Sequence, residues 1–77
     1  MQRIENIRAS WNDAENVCHV VADIQVSTAD ELPALGGTVG VYVIEAGTIA
    51  QVIQAAKFLT LDESGTWYPE AESGDDT

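Results

Sequence analysis

Residues 17–26 read Val-Cys-His-Val-Val-Ala-Asp-Ile-Gln-Val, and their character alternates with a period of two. One set of alternate positions is small or apolar throughout: Cys18, Val20, Ala22, Ile24 and Val26. The other set mixes apolar and polar residues: Val17, His19, Val21, Asp23 and Gln25. Successive side chains of a strand point to opposite faces of a sheet, so the pattern predicts a strand whose uniform set faces a core.

A second alternating stretch lies just before this strand. In residues 3–11, Ile7, Ala9 and Trp11 alternate with Arg8 and Ser10, which predicts a strand with one solvent-facing side. Between the two stretches, residues 12–16 read Asn-Asp-Ala-Glu-Asn, a composition typical of a turn. We therefore expect a β-hairpin over residues 3–26.

The next segments are shorter. Residues 27–33, Ser-Thr-Ala-Asp-Glu-Leu-Pro, carry a helix N-cap signal, and Pro33 limits the helix to about one turn. Gly36 and Gly37 predict a flexible loop. Residues 39–44 are β-branched and apolar at nearly every position, which predicts a strand that is buried on both faces.

Residues 49–59 allow two interpretations. The apolar residues of this segment fit one helical stripe: Ile49, Val52, Ile53, Ala56 and Leu59. The same segment also fits two short strands, 49–53 and 57–61, and the pattern leaves both open. Residues 61–68 predict a turn around Ser64-Gly65 that leads into an aromatic strand.

These elements predict a mainly β protein: a small antiparallel β-sheet or barrel-like domain with one short helical turn. Residues 1–69 are expected to form a single β-rich domain, because 77 residues leave room for no more than one. Residues 70–77 carry four acidic residues and no large apolar one, so we expect an acidic disordered tail.

The charge balance constrains the partners. There are 13 acidic and 3 basic residues, for a formal net charge of −10. Such a chain repels phosphate backbones and anionic lipid surfaces, so we expect neither nucleic-acid binding nor membrane binding. The acidity suits association with a basic protein surface. The start of the chain lacks the apolar region of a signal peptide, and we expect the protein to act or be assembled inside the cell that makes it.

We expect no enzymatic activity, and no cofactor or metal. Cys18 and His19, the single cysteine and the single histidine, are neighbours on a predicted strand and therefore point to opposite faces. No Cys/His set has zinc spacing. Asp62 and Glu63 lie in a tight turn without the alternating acids of a calcium loop.

The candidate functional residues are aromatic. Trp11, Trp67 and Tyr68 are of the types enriched in binding hot spots, although a thin core uses the same types. We predict a partner interface at these residues, and we expect Trp67 to pack inward while Tyr68, on the other face, is free to meet a partner.

Residues 28–68 resemble a short module in structural proteins of tailed bacteriophages and prophages. The resemblance rests on Leu-Asp-Glu-Ser-Gly-Thr-Trp-Tyr at 61–68, on Gly-Thr-Ile-Ala-Gln-Val-Ile-Gln at 47–54 and on Asp-Glu-Leu-Pro at 30–33. The hairpin of residues 3–26 has no counterpart in that module, and Ala55-Ala56 stands where such chains often have a polar turn.

The resemblance implies a virion component: a capsid decoration, head-fibre or tail-associated protein, assembled in the host cytoplasm. It also favours two strands over a helix at residues 49–59. The expected partner is then a phage capsid or tail protein, with a homo-oligomer as the expected state. The alternative that the charge supports is an acidic intracellular adaptor or inhibitor that binds a basic protein surface.

Overall fold

The computed structural model describes residues 1–69, and within them seven strands form one sheet, so the predicted mainly β class is confirmed. The strands are β1 (Gln2–Asn12), β2 (Cys18–Val26), β3 (Thr38–Val39), β4 (Tyr42–Ile44), β5 (Ile49–Val52), β6 (Lys57–Leu61) and β7 (Trp67–Pro69). The predicted helical turn is a 3-10 helix at Ala29–Glu31. None of the helical structure in residues 1–69 reaches the length and apolarity that a membrane-crossing helix requires.

Strand β2 organises the sheet. It pairs antiparallel with β1 on one edge, which is the predicted hairpin. On its other edge it pairs in parallel with two strands in succession, β4 beside residues 19–20 and β5 beside residues 23–26. The remaining pairs, β3 with β4, β5 with β6 and β6 with β7, are antiparallel. The sheet is therefore mixed rather than wholly antiparallel, and it does not close into a barrel.

The change from β4 to β5 leaves a gap beside Ala22. Pairing with β4 ends at Val20 and pairing with β5 begins at Asp23. Two side chains bond the Ala22 backbone here: its N–H donates to Thr48 Oγ1 at 3.2 Å, and its carbonyl accepts from Arg8 Nη2 at 3.4 Å. Thr48 is completely buried, so it fills the gap as well as accepting a hydrogen bond.

The core lies on one face of the sheet, as the alternation of β2 predicts. Its buried apolar residues are Val20, Ala22, Ile24, Val26, Val39, Ile44, Ala50, Val52, Leu59 and Leu61. Six partly buried residues pack against them: Ile4, Cys18, Leu32, Leu35, Tyr42 and Trp67. Burial of this apolar surface is the main term that favours folding in so short a chain.

The prediction that β1 has a single solvent-facing side was wrong. Every residue of β1 except Ile4 is exposed, including Ile7 and Trp11. Register shifts between Ile4 and Asn6 and between Ile7 and Ala9 interrupt its pairing with β2, and bulges of this kind turn side chains away from a regular face. Because β1 pairs only with β2, its other edge is unpaired within residues 1–69.

Residues 39–44 do not form the single buried strand that their composition predicts. Gly40 adopts φ +64, and this left-handed conformation allows a tight turn between β3 and β4. Val41, at the tip of that turn, is 76% exposed. The predicted flexible loop at Gly36-Gly37 is instead hydrogen-bonded: Gly36 N–H donates to the Ile44 carbonyl, and Ile44 N–H donates to the Gly37 carbonyl.

Residues 49–59 contain two strands and no helix. β5 and β6 are joined by a turn in which Ala56 has φ +53, and Ala50 and Leu59 are opposite one another in the register. The strand alternative is therefore correct. The prediction of a disordered tail at residues 70–77 lies outside the described residues.

Candidate functional site

The face of the sheet opposite the core carries three aromatic side chains, and we call it the outer face. Directly paired residues on neighbouring strands point to the same side of a sheet. Trp11 is paired with His19, and Phe58 with Gln51. Tyr68 is paired with Thr60. The paired residues His19, Gln51 and Thr60 each alternate with core residues of their own strands. Trp11, Phe58 and Tyr68 therefore belong to one face.

These three side chains are about half exposed: Trp11 47%, Phe58 48% and Tyr68 52%. Trp67 points the other way, against the core, and its Nε1–H donates to the Pro33 carbonyl at 2.9 Å. The structure thus brings Trp11 and Tyr68 to one face and separates Trp67 from them. The sequence does not predict Phe58 as an exposed aromatic residue, because the two interpretations of residues 49–59 leave the direction of its side chain undefined.

A groove of about 400 Å³ crosses the outer face between β1 and β6. Phe58 forms one wall and Glu5, at the first bulge of β1, forms the other. Its floor includes Gln25 and Gln51, whose side-chain amides bond each other at 3.0 Å. Part of the outer face is therefore concave.

The turn between β6 and β7 fixes the position of Tyr68. Asp62 Oδ1 accepts hydrogen bonds from the backbone N–H of Thr66 at 2.9 Å and of Ser64 at 3.0 Å, and from Ser64 Oγ at 2.8 Å. These bonds, that from Thr66 first, hold the pKa of Asp62 below its ordinary value. The carboxylate therefore shapes the turn that leads into the aromatic strand.

Replacing Asp62 by alanine should lower the melting temperature at pH 6, because the bonded carboxylate is lost. A depressed pKa in the folded state contributes stability above the unfolded value of 3.8 and loses it as pH falls through the folded value. The difference between wild type and Asp62→Ala should therefore shrink in melts recorded below that pH. Glu63→Ala, in the same turn, is the matched control. Equal melting temperatures for the two variants at pH 6 would contradict this role.

A cluster of charged side chains surrounds His19 at the other end of the outer face. His19 Nε2 lies 2.8 Å from Asp13 Oδ2, and His19 Nδ1 lies 2.5 Å from Glu45 Oε2. The indole of Trp11 stacks on the imidazole, with ring centroids 5.8 Å apart and planes within 8°. We call Asp13, His19 and Glu45 the clamp, because they join the hairpin turn to the end of β4.

Sequence reasoning missed the clamp. Glu45 is 26 residues from His19, and only the parallel pairing of β2 with β4 brings them together. The contact with Asp13 could have been expected from the sequence, because Asp13 lies in the predicted turn six residues before His19. The expected separation of Cys18 from His19 is seen: Cys18 packs against the core, while His19 stacks on the exposed Trp11.

Among residues 1–69, no group of three or more His, Cys, Asp or Glu side chains is arranged to hold a metal ion. The clamp itself points its two carboxylates at different ring nitrogens, and those nitrogens diverge from one another. The arrangement is suited to binding one proton-bearing ring between two anions. The contacts within the clamp are ion pairs and hydrogen bonds.

The outer face therefore combines a clamp beneath Trp11, a concave centre and exposed aromatic rings. No protein-family model, no curated protein and no solved structure matches this chain.

Proposed function

We propose that this chain is a structural protein of tailed-phage or prophage particles, a capsid decoration, head-fibre or tail-associated protein that docks on a particle lattice. The observation that carries the proposal is the presence of three half-exposed aromatic side chains, Trp11, Phe58 and Tyr68, on one face of the sheet. Aromatic residues of this kind dominate binding energy when they enter a partner surface. The resemblance of residues 28–68 to phage modules supplies the class of partner.

The size of the domain supports docking. Its buried apolar core comprises only ten residues in the described part of the chain. Small domains gain stability from association when they lack disulfides or metals. The long strand β1, whose outer edge is unpaired within residues 1–69, offers main-chain donors and acceptors to a neighbour. We propose that a lattice or a second copy of the chain covers this edge.

Co-sedimentation tests the proposal. Tailed-phage particles are purified after induction of a strain that carries the gene, and the protein is mixed with them and pelleted. We expect it to pellet with the particles and to show an oligomer by light scattering. A strict monomer that never joins the particles would overturn the proposal.

Trp11→Ala should weaken this co-sedimentation by about tenfold, a loss typical of an interface hot spot. The matched control is Val41→Ala, which also truncates an exposed apolar side chain but lies on the β3–β4 turn. Circular dichroism checks that both variants fold. If both variants bind the particles equally well, Trp11 is not part of the interface.

The second candidate function is an acidic adaptor or inhibitor of a basic protein. It is favoured by the charge balance of 13 acidic against 3 basic residues. Two of the three cations are already paired within the domain, Arg3 with Glu5 at 2.8 Å and Arg8 with Asp23 at 3.0 Å. This function predicts tight, salt-sensitive binding to a basic protein. It also predicts loss of binding when the acids of residues 70–77 are replaced by amides, a change that lattice docking through the outer face should tolerate.

A further inference from the structure

The two ring nitrogens of His19 both face carboxylate oxygens. An ionised carboxylate only accepts hydrogen bonds, and a neutral imidazole can donate from only one of its nitrogens. The two short contacts, 2.8 Å to Asp13 and 2.5 Å to Glu45, are both satisfied only when both nitrogens carry a proton. The closed clamp is therefore the imidazolium form of His19.

We propose that His19 is a proton-controlled positioning residue, which holds Trp11 in its docking orientation while both ring nitrogens are protonated and releases it when one proton is lost. This inference rests on the proposed function, because it describes the regulation of the same outer face. The structural link is the parallel stack of Trp11 on the imidazole. A ring that is fixed before binding costs less conformational entropy on docking than a mobile one.

Loss of the proton must open one side of the clamp. The deprotonated nitrogen then directs a lone pair at a carboxylate oxygen, and two acceptors repel each other at hydrogen-bond distance. Either Asp13 or Glu45 has to withdraw, or the ring has to turn. Because Trp11 stacks on that ring, a turn of the ring moves the indole, and withdrawal of a carboxylate removes one of the two contacts that hold the ring in place.

The surroundings of His19 all favour the protonated form except burial. From the hairpin turn it faces Asp13, and from the end of β4 it faces Glu45. The residues paired with it on β1 and β4 are Trp11 and Val43, neither of which titrates in this range. Hydrogen bonds to Asp13, then to Glu45, raise the pKa of His19 above its ordinary value of 6.5.

The sign of the pH dependence follows from this direction. A pKa raised in the folded state contributes stability that is complete below the unfolded value of 6.5 and is lost as pH rises through the folded value. On the acid side, the hydrogen bond to His19 lowers the pKa of Asp13 below its ordinary value of 3.8. The contact between Asp13 and His19 is therefore lost only when the pH falls below 3.8. The clamp is therefore closed at mildly acidic pH and opens on the alkaline side of 6.5.

Nuclear magnetic resonance of the ¹⁵N-labelled full chain tests the clamp without any partner. The indole N–H signals of Trp11 and Trp67 are followed from pH 5 to pH 10, together with the His19 ring. We expect the Trp11 signal to shift with the same midpoint as His19, above 6.5, while Trp67 stays constant as an internal control. A His19 midpoint at or below 6.5, or a Trp11 signal that ignores it, would overturn the proposal.

Two variants separate positioning from general folding. His19→Gln cannot gain or lose a proton, so the Trp11 titration should vanish. Asp13→Asn keeps an amide oxygen for the turn but removes a charge, so the His19 midpoint should fall relative to wild type. An unchanged midpoint in Asp13→Asn, or a persisting Trp11 titration in His19→Gln, counts against the clamp.

Co-sedimentation at pH 6 and pH 9 tests the regulation itself. Binding of the wild type should fall more between pH 6 and pH 9 than binding of His19→Gln. The loss of binding by His19→Gln measures the effect of pH on the particle itself. Equal losses would overturn the regulatory role. Absence of binding at both values would overturn the proposed function, while the resonance experiment would still decide whether the clamp moves Trp11.

Discussion

Ile44→Ala should lower the free energy of unfolding by about 2–5 kcal/mol, the range for deleting a buried isoleucine side chain and leaving a cavity. Ile44 is fully buried and lies at the end of β4, opposite Val20 of β2. Its backbone also exchanges hydrogen bonds with Gly36 and Gly37, so it connects the core to the loop before β3. The substitution leaves these backbone groups in place and tests the side chain alone.

The effect is large relative to the whole protein. At about 0.05–0.15 kcal/mol per residue, a chain of 77 residues has a total stability of about 4–12 kcal/mol. Urea denaturation followed by circular dichroism measures the change. Ile53→Ala is the matched control, because Ile53 is exposed in the β5–β6 turn and should lose no more than about 0.5 kcal/mol. Similar losses for the two variants would contradict the assignment of Ile44 to the core.

How far the sequence predicts this fold depends on what covers each strand. The alternation of β2 correctly predicts its buried face because neighbours flank β2 on both edges and a core covers one of its faces. The alternation in β1 fails for a different reason: the bulge between Ile7 and Ala9 changes the register. As a result Ile7 is paired with the core residue Ala22, whereas Trp11 is paired with His19 of the outer face. A period of two assigns side chains to one face only where the pairing is regular, and no pattern within the strand shows where a bulge interrupts it.

A glycine explains a second difference between the predicted and the observed strands. Residues 39–44 have the composition of a buried strand, yet Gly40 takes a positive φ and the chain reverses there. No local sequence pattern indicates the parallel pairing of β2 with β4 and β5. Fifteen residues separate the end of β2 from the start of β4, which is enough chain for a parallel crossover, but their sequence does not specify which edge of β2 the crossover reaches.

Local sequence patterns predict one part of the candidate site and not the rest. Alternation along residues 67–69 correctly places Trp67 on the core side and Tyr68 on the exposed side. The contact between His19 and Glu45 joins residues 26 apart, and the groove is lined by residues of four strands, so both arise from strand register rather than from local pattern. Whether Trp11, Trp67 and Tyr68 contact a partner stays a prediction.

Thr48→Val should lower the free energy of unfolding by about 1–3 kcal/mol, although valine has nearly the same shape as threonine. The reason lies in the gap between β4 and β5, where Thr48 Oγ1 accepts the hydrogen bond of the Ala22 N–H at 3.2 Å. Valine offers no acceptor, so this buried donor would lose its partner. An unpaired buried N–H carries the full cost of desolvation.

Thr48→Ser is the matched variant, because it retains the acceptor and removes only a methyl group, which is worth about 0.8 kcal/mol of burial. Urea denaturation should therefore rank the three proteins as wild type, then serine, then valine. Hydrogen exchange adds a local measurement: the Ala22 amide should exchange faster in Thr48→Val than in Thr48→Ser. If serine is the less stable variant, packing of the methyl group rather than the hydrogen bond fills the gap. In that case the hydrogen bond of Thr48 would not be what replaces strand pairing where the partner of β2 changes from β4 to β5.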